Sequence, residues 1–117
     1  MITTAQLNQQ LDDMLGAGKM LEAFELFYAP DVVMQENDDP PTRGKDSNRD
    51  RELAFVASVQ EVHENVLLDS ATAGDVSYSE WSSDLTLRDY GRVRRTQVAK
   101  RQWRDGKIVN ERFYYKA

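Results

Sequence analysis

A chain of 117 residues, 40% hydrophobic and 30% charged, suits a single folded domain over 1–117 and lies outside the low-hydrophobicity, high-charge range of disorder. The absence of cysteine excludes disulfides, thiolate metal sites and a cysteine nucleophile. The N-terminus MITTAQLNQQ has no basic region followed by an apolar run, and no stretch reaches the roughly 18 apolar residues of a membrane span, so no membrane partner and a cytoplasmic location are expected.

The first helical signal is TTAQLNQQLDDMLGAG, in which Thr3 and Gln6 fit a capping box and Leu7, Leu11, Met14 and Leu15 recur at helical spacing until Gly16 and Gly18. KMLEAFELFYA follows as a second short helix with Met20, Ala23, Phe24 and Phe27 on one side, stopping before Pro30. VVMQE is a strand and NDDPPTRG a polar loop. Asp46 or Ser47 can then cap a third helix, NRDRELAFVASVQ, with a stripe of Leu53, Val56 and Ala57.

Beyond residue 60 the pattern changes to strands. EVHENVLLDSAT, VSYSEWSSDLTLR, RVRRTQVAKRQWR and KIVNERFYY are rich in β-branched and aromatic residues and are separated by AGD, DYG and DG turns, which predicts a four-strand antiparallel meander. The class is α+β: a curved, mostly antiparallel sheet forming a cone, with the three helices of the N-terminal half on its concave face. Strands this long curl around what packs on them, so a cavity is expected, mostly apolar with a few convergent polar groups.

Charge is unevenly spread. Residues 1–87 hold five Lys/Arg against seventeen Asp/Glu, and residues 88–117 ten against three, for a net −5, which predicts attraction between the two parts. The basic residues alternate along strands, and a pI near 4.8 disfavours a phosphate footprint, so no nucleic-acid partner is expected.

On RVRRTQVAKRQWR, the alternate set Val93, Arg95, Gln97, Ala99, Arg101 and Trp103 is the more apolar, and reads equally as a half-exposed face or a polar pocket lining. Its partner strand depends on the turn. A two-residue Asp105-Gly106 hairpin puts Ile108 and Arg112 on the Trp103 face, whereas a three-residue loop with Gly106 left-handed puts Val109, Glu111, Phe113 and Tyr115 there. The second is favoured because it sets Glu111 beside Arg101 as an internal ion pair. In VSYSEWSSDLTLR, Tyr78, Glu80, Ser82 and Asp84 alternate with Ser79, Trp81, Ser83, Leu85 and Leu87; Trp81 is read as an outer-face dimer contact ahead of core packing. His63, the sole histidine, has no second histidine or thiol beside it, so no metal is expected, and it reads as a hydrogen-bonded strand residue near the cavity mouth. No phosphate loop, nucleophile elbow or cofactor fingerprint occurs, so no cofactor is expected.

The order helix, helix, YAPDVVMQEN, loop, TRGKD, helix, long strands and RQWRDGKIVNERFYY resembles the SnoaL-like branch of the nuclear transport factor 2-like superfamily, over nearly the whole chain. That superfamily includes polyketide cyclases, ketosteroid isomerases, epoxide hydrolases and proteins that only bind or dimerise. The resemblance implies a pocket for a small-molecule ligand or substrate and a homodimer through the outer sheet face. In the ketosteroid isomerase branch, the carboxylate ending the first strand is the general base, which falls on Glu36. The two oxyanion donors of that branch fall near Leu11 and Ala99, so both are missing, and Tyr115, Arg101 or Tyr78 would have to hold an enolate. The candidate site is thus Glu36 as base in a pocket of His63, Tyr78, Glu80, Gln97, Arg101, Trp103, Glu111, Phe113 and Tyr115. Two functions follow: a cofactor-free isomerase or cyclase acting beside a carbonyl, or a non-catalytic ligand-binding or dimerising module with the same cavity.

Overall fold

Helix α1 (Thr4–Gly16) starts at the expected capping box: Gln6 N–H donates to Thr3 Oγ1 at 3.1 Å and Thr3 N–H to Gln6 Oε1 at 2.8 Å. Residues 1–117 are all described by the computed structural model. Helix α2 (Met20–Phe27) buries Ala23, Phe24 and Phe27. It gives way directly to strand β1 (Tyr28–Glu36), longer than VVMQE because the chain is extended from Tyr28 onward, with Pro30 in the irregular stretch between Tyr28 and Val33 where a missing N–H breaks no ladder. A two-residue strand, β2 (Thr42–Arg43), pairs with β1.

Helix α3 (Lys45–Ser58) departs from expectation at its start and on its face. Gly44, at φ +92°, is the N-cap, and no side chain caps the helix, so Asp46 and Ser47 lie within the first turn. The buried amide of Asn48 anchors the loop instead, donating to the Gly44 carbonyl at 2.8 Å and the Thr42 carbonyl at 3.0 Å. Leu53 and Ala57 are exposed; Asn48, Glu52, Phe55 and Val56 form the side nearer the sheet.

Strands β3 (Val59–Ala73), β4 (Val76–Leu87), β5 (Gly91–Arg104) and β6 (Lys107–Tyr115) are the predicted meander. They join the shorter strands in one sheet of order β2-β1-β6-β5-β4-β3, antiparallel except for β1 against β6. Three helices on a curved, mostly antiparallel sheet make the α+β cone.

The β5–β6 hairpin combines both registers read from the sequence. Asp105 and Gly106 have φ of +53° and +76°, the two positive values of a two-residue turn, and Arg104 pairs with Lys107. The three-residue loop is therefore corrected. Ile108 joins Trp103, but between Trp103↔Ile108 and Gln102↔Asn110 the ladder shifts and Val109 is the extra residue. That bulge turns the rest of β6 over, so Glu111 pairs with Arg101 and Phe113 with Ala99 on the same face.

One end of the cone is filled. Leu11, Phe24, Phe27, Tyr28, Val32, Met34, Trp103 and Ile108 form a continuous buried cluster there, with Phe24 stacked on Tyr28 and Phe27 edge-on to Trp103. The other end encloses the cavity. Ion pairs join the acidic and basic parts of the chain: Arg101–Asp12, Arg104–Asp31, Arg112–Asp38, and Arg92 and Arg94 with Asp84. No helix is long and apolar enough to cross a membrane.

Candidate functional site

The cavity has a volume of about 480 Å³. Its floor is the inner face of β4, β5 and β6, including Trp81, Leu85, Val93, Gln97, Ala99, Arg101 and Phe113. The end of α1, helix α2 and the Phe24 ring close one side; Glu52, Phe55 and Val56 of α3 with Val59 and Val62 of β3 close the other. Fourteen of its 22 lining residues are hydrophobic, and Phe55, Val56 and Val62 remain exposed, so the cavity opens to solvent between α3 and β3.

Beneath the boundary between cavity and core lies a buried polar network centred on Arg101. Its Nε donates to Glu111 Oε2 at 2.8 Å, and Nη1 to Asp12 Oδ1 at 2.9 Å, Asn8 Oδ1 at 2.8 Å and Ser79 Oγ at 3.1 Å. Tyr28 Oη donates to Glu111 Oε1 at 2.6 Å, Ser79 Oγ to Asp12 Oδ2 at 2.6 Å, Ser77 Oγ to Asn8 Oδ1 at 2.8 Å, and Trp103 Nε1 to Ser77 Oγ at 2.8 Å. Two carboxylates around one guanidinium overcome the burial that opposes its charge, and hold Arg101 above its ordinary pKa. Burial first, then the charge of Glu111, pushes Tyr28 well up. The network ties α1 to β1, β4, β5 and β6, and it commits the Tyr28 hydroxyl and two nitrogens of Arg101 to protein partners.

Glu36 ends β1 on the inner face, paired with Phe113. The turn that follows fixes it. Asn37 is left-handed (φ +48°), its N–H donates to the Phe113 carbonyl at 2.8 Å, and its Oδ1 accepts from Tyr115 N–H at 2.9 Å. Glu36 is half-buried, and its Oε2 is enclosed without a hydrogen-bond partner. Burial raises its pKa, against the opposing pull of Arg95 and Tyr115. Tyr115 is raised in turn by burial and by Glu36, and the Arg95 guanidinium lies 3.9 Å from the centre of the Tyr115 ring. Glu36 sits just outside the ring of residues that line the cavity.

Inside that ring is a carboxyl group the sequence reading passed over. Glu52 lines the cavity and has Oε2 buried without a partner. Desolvation, reinforced by repulsion from Glu111 and Glu36, pushes its pKa to about 8, so it is largely protonated at neutral pH. The available signal was a stripe, Glu52, Phe55, Val56 and Val59 at i, i+3, i+4 and i+7, with a carboxyl among apolar neighbours. Tyr28, Asn8 and Asp12 were also missed; only the sheet around α1 marks Asn8 and Asp12 as buried.

Of the sequence-derived pocket residues, Gln97, Arg101, Glu111 and Phe113 line the cavity, Tyr115 stands beside Glu36, and Trp103 lies in the packed end. Three point elsewhere. Tyr78 and Glu80 alternate with inward Ser77, Ser79 and Trp81, and so face outward. His63 also lies on the outer side, its Nε2 2.7 Å from Thr86 Oγ1 and 3.5 Å from Glu61. Irregularities in β3 after Val62 turn Val62 and Asn65 inward in its place. Trp81 corrects the opposite way: it is buried in the cavity floor rather than exposed as a dimer contact. No three His, Asp or Glu side chains are grouped as a metal site.

The family model of the SnoaL-like domain matches residues 2–115. The chain belongs to the SnoaL-like family. It is similar to a Mesorhizobium loti protein designated a SnoaL-like polyketide cyclase [carbohydrate phosphatase], at 26% identity and TM-score 0.88, over 97% of this chain and 100% of that one. A nuclear transport factor 2-like protein of unknown function from Burkholderia pseudomallei shares the fold at 13% identity and TM-score 0.81, over 99% and 92%. So does a protein with a ketosteroid isomerase-like fold from Catenulispora acidiphila, in complex with trimethylamine, at 17% identity and TM-score 0.73, over 91% and 85%. No curated protein matches the sequence.

Proposed function

We propose that this SnoaL-like protein binds a small, largely apolar molecule in its cavity and transfers a proton beside a carbonyl of that molecule, with Glu36 as the base. The observation that carries this reading is the position of Glu36: it closes the inner edge of β1, its Oε2 has no partner, and burial raises its proton affinity. A base whose pKa is moved toward neutrality loses less of its driving force in the ionised form. Tyr78 faces away from the cavity, and Tyr28 is committed to Glu111, so neither holds the developing oxyanion.

The test is hydrogen–deuterium exchange at the carbon next to the carbonyl of a bicyclic aromatic ketone, followed by NMR in D₂O. The wild-type protein should accelerate exchange, and Glu36→Gln should lower that acceleration by about 10²-fold or more. Undiminished exchange in the variant removes Glu36 from the role. A second reading, binding without chemistry, is favoured by the place of Glu36 just outside the lining; it predicts tight ketone binding with no exchange above background. We also propose that two copies pair through the outer sheet face, where Tyr78 and Tyr114 are exposed. Light scattering on Tyr114→Glu tests this: a monomer is expected, and an unchanged dimer places the interface elsewhere.

A further inference from the structure

Of the five arginines on β5, four meet a carboxylate: Arg92 and Arg94 share Asp84, Arg101 holds Asp12 and Glu111, and Arg104 reaches Asp31. Arg95 meets none. It is partly buried, lines the cavity, and rests its guanidinium over the Tyr115 ring, 3.9 Å from the centroid. That contact steadies the guanidinium and leaves its N–H donors without an oxygen partner. The sheet sets two more polar side chains beside it: Ser83 on β4 is its direct cross-strand partner, and Gln97 follows two residues along the same inner face. Both line the cavity. Opposed side chains on a sheet start only about 4.5–5.5 Å apart, so the three donors form one patch. On either side of it the same face is apolar, with Leu85 and Val93 in one direction and Trp81 and Ala99 in the other. The carboxyls nearby do not claim Arg95. Glu111 is held by Arg101 and Tyr28, Glu52 is largely protonated at neutral pH, and Glu36 feels Arg51 as well as Arg95 and is bonded to neither.

Resting on the reading of the cavity as a ligand site, we infer that its ligand is an amphipathic monocarboxylate, with the carboxylate held by Arg95, Ser83 and Gln97 and the apolar body lying over Trp81, Leu85 and Val93. The planar guanidinium matches the two oxygens of a carboxylate, and one free cation balances one negative charge. A phosphate monoester brings about −1.5 to −2 at pH 7, which leaves charge unanswered close to Glu36. A neutral ligand would cover the partly buried guanidinium and leave its charge without an anion. The opening between α3 and β3 lets the charged end enter without crossing the packed end of the cone.

The experiment is equilibrium dialysis of the whole protein at neutral pH with three probes of one body: 2-naphthylacetate, its neutral isostere 2-naphthylacetamide, and 2-naphthyl phosphate. The acetate should bind about tenfold more tightly than the amide, as expected when hydrogen bonds become charge-assisted, and more tightly than the phosphate. Arg95 has no ion pair to lose, so Arg95→Gln should fold normally and bind the amide as before, while the acetate's advantage shrinks to within about threefold. Arg94→Gln, on the outer face of the same strand, should leave the advantage in place. Equal affinity for acetate and amide, an advantage that survives Arg95→Gln, or one lost equally in Arg94→Gln overturns the inference while leaving the cavity a ligand site. Tighter binding of the phosphate overturns the assignment to a monocarboxylate. Failure of all three probes, the neutral amide included, rejects the underlying reading and the inference with it.

Discussion

Replacing Glu52 by glutamine should make the protein more stable, by an amount that grows as pH rises from 4.5 to about 8. In the folded state Glu52 titrates at about 8, against an ordinary glutamate value of 4.5. Below pH 4.5 the group is protonated whether the chain is folded or not, and it costs nothing. Between pH 4.5 and 8 the unfolded chain has released the proton while the folded chain holds it, so stability falls as pH rises. Above pH 8 the full cost is present. At 1.36 kcal/mol per pK unit, the interval corresponds to an upper bound of about 5 kcal/mol, a large fraction of the roughly 5–15 kcal/mol that holds a domain together. Glutamine is neutral throughout and nearly the same shape. The assay is urea unfolding of both proteins at pH 5, 7 and 9. Their free energies should differ by no more than about 1 kcal/mol at pH 5, and the variant should gain progressively to several kcal/mol at pH 9. Taking the difference removes groups common to both, such as Asp84, whose lowered pKa acts in the opposite sense. Parallel pH profiles would refute the assignment of Glu52 as a buried neutral acid.

Three further outcomes follow from the surrounding packing. Arg101→Met leaves Asp12 and Glu111 buried without their shared cation and should cost about 3–5 kcal/mol in urea unfolding; an unchanged midpoint would mean that the network contributes nothing net. Tyr28→Phe removes the hydroxyl bonded to Glu111 at 2.6 Å and should cost about 1.5–3 kcal/mol, as expected for a bond to a charged group, with a matching fall in the urea midpoint. Asn37→Ala forces an ordinary side chain to φ +48° and deletes the bond to Tyr115 N–H. A loss of about 2 kcal/mol is expected from strain of about 1–2 kcal/mol and one hydrogen bond; a stability within error of wild type would show that the turn after Glu36 is held by the strands alone.

Much of the fold was legible because it is written in local chemistry. The Thr3–Gln6 capping box and the alternation of β5 each depend on residues a few positions apart. The Arg101–Glu111 pair was reachable too, because an unpaired buried charge is costly enough to choose a register. The route to it was not: the hairpin keeps its two-residue turn, and the extra residue Val109 makes the correction. A bulge leaves no signature in a sequence that reads as continuous strand.

The site divides along the same line. Position in the chain set Glu36 at the end of a strand, and Asn37 beside it carries the left-handed turn that holds it there. Whether a side chain on a regular element faces water or a cavity is decided by what packs over it. Glu52 on a polar helix, Asn8 and Asp12 on α1, and Trp81 on a two-faced strand all required the closed cone to give them a direction. The sequence by itself determined the elements, their order and the charges available to pair, since propensity, capping and alternation act over short distances. Only the tertiary structure decided which of those charges are deprived of water, because desolvation depends on neighbours far away in the chain. Glu52 is one such group, half-buried on α3 among apolar neighbours.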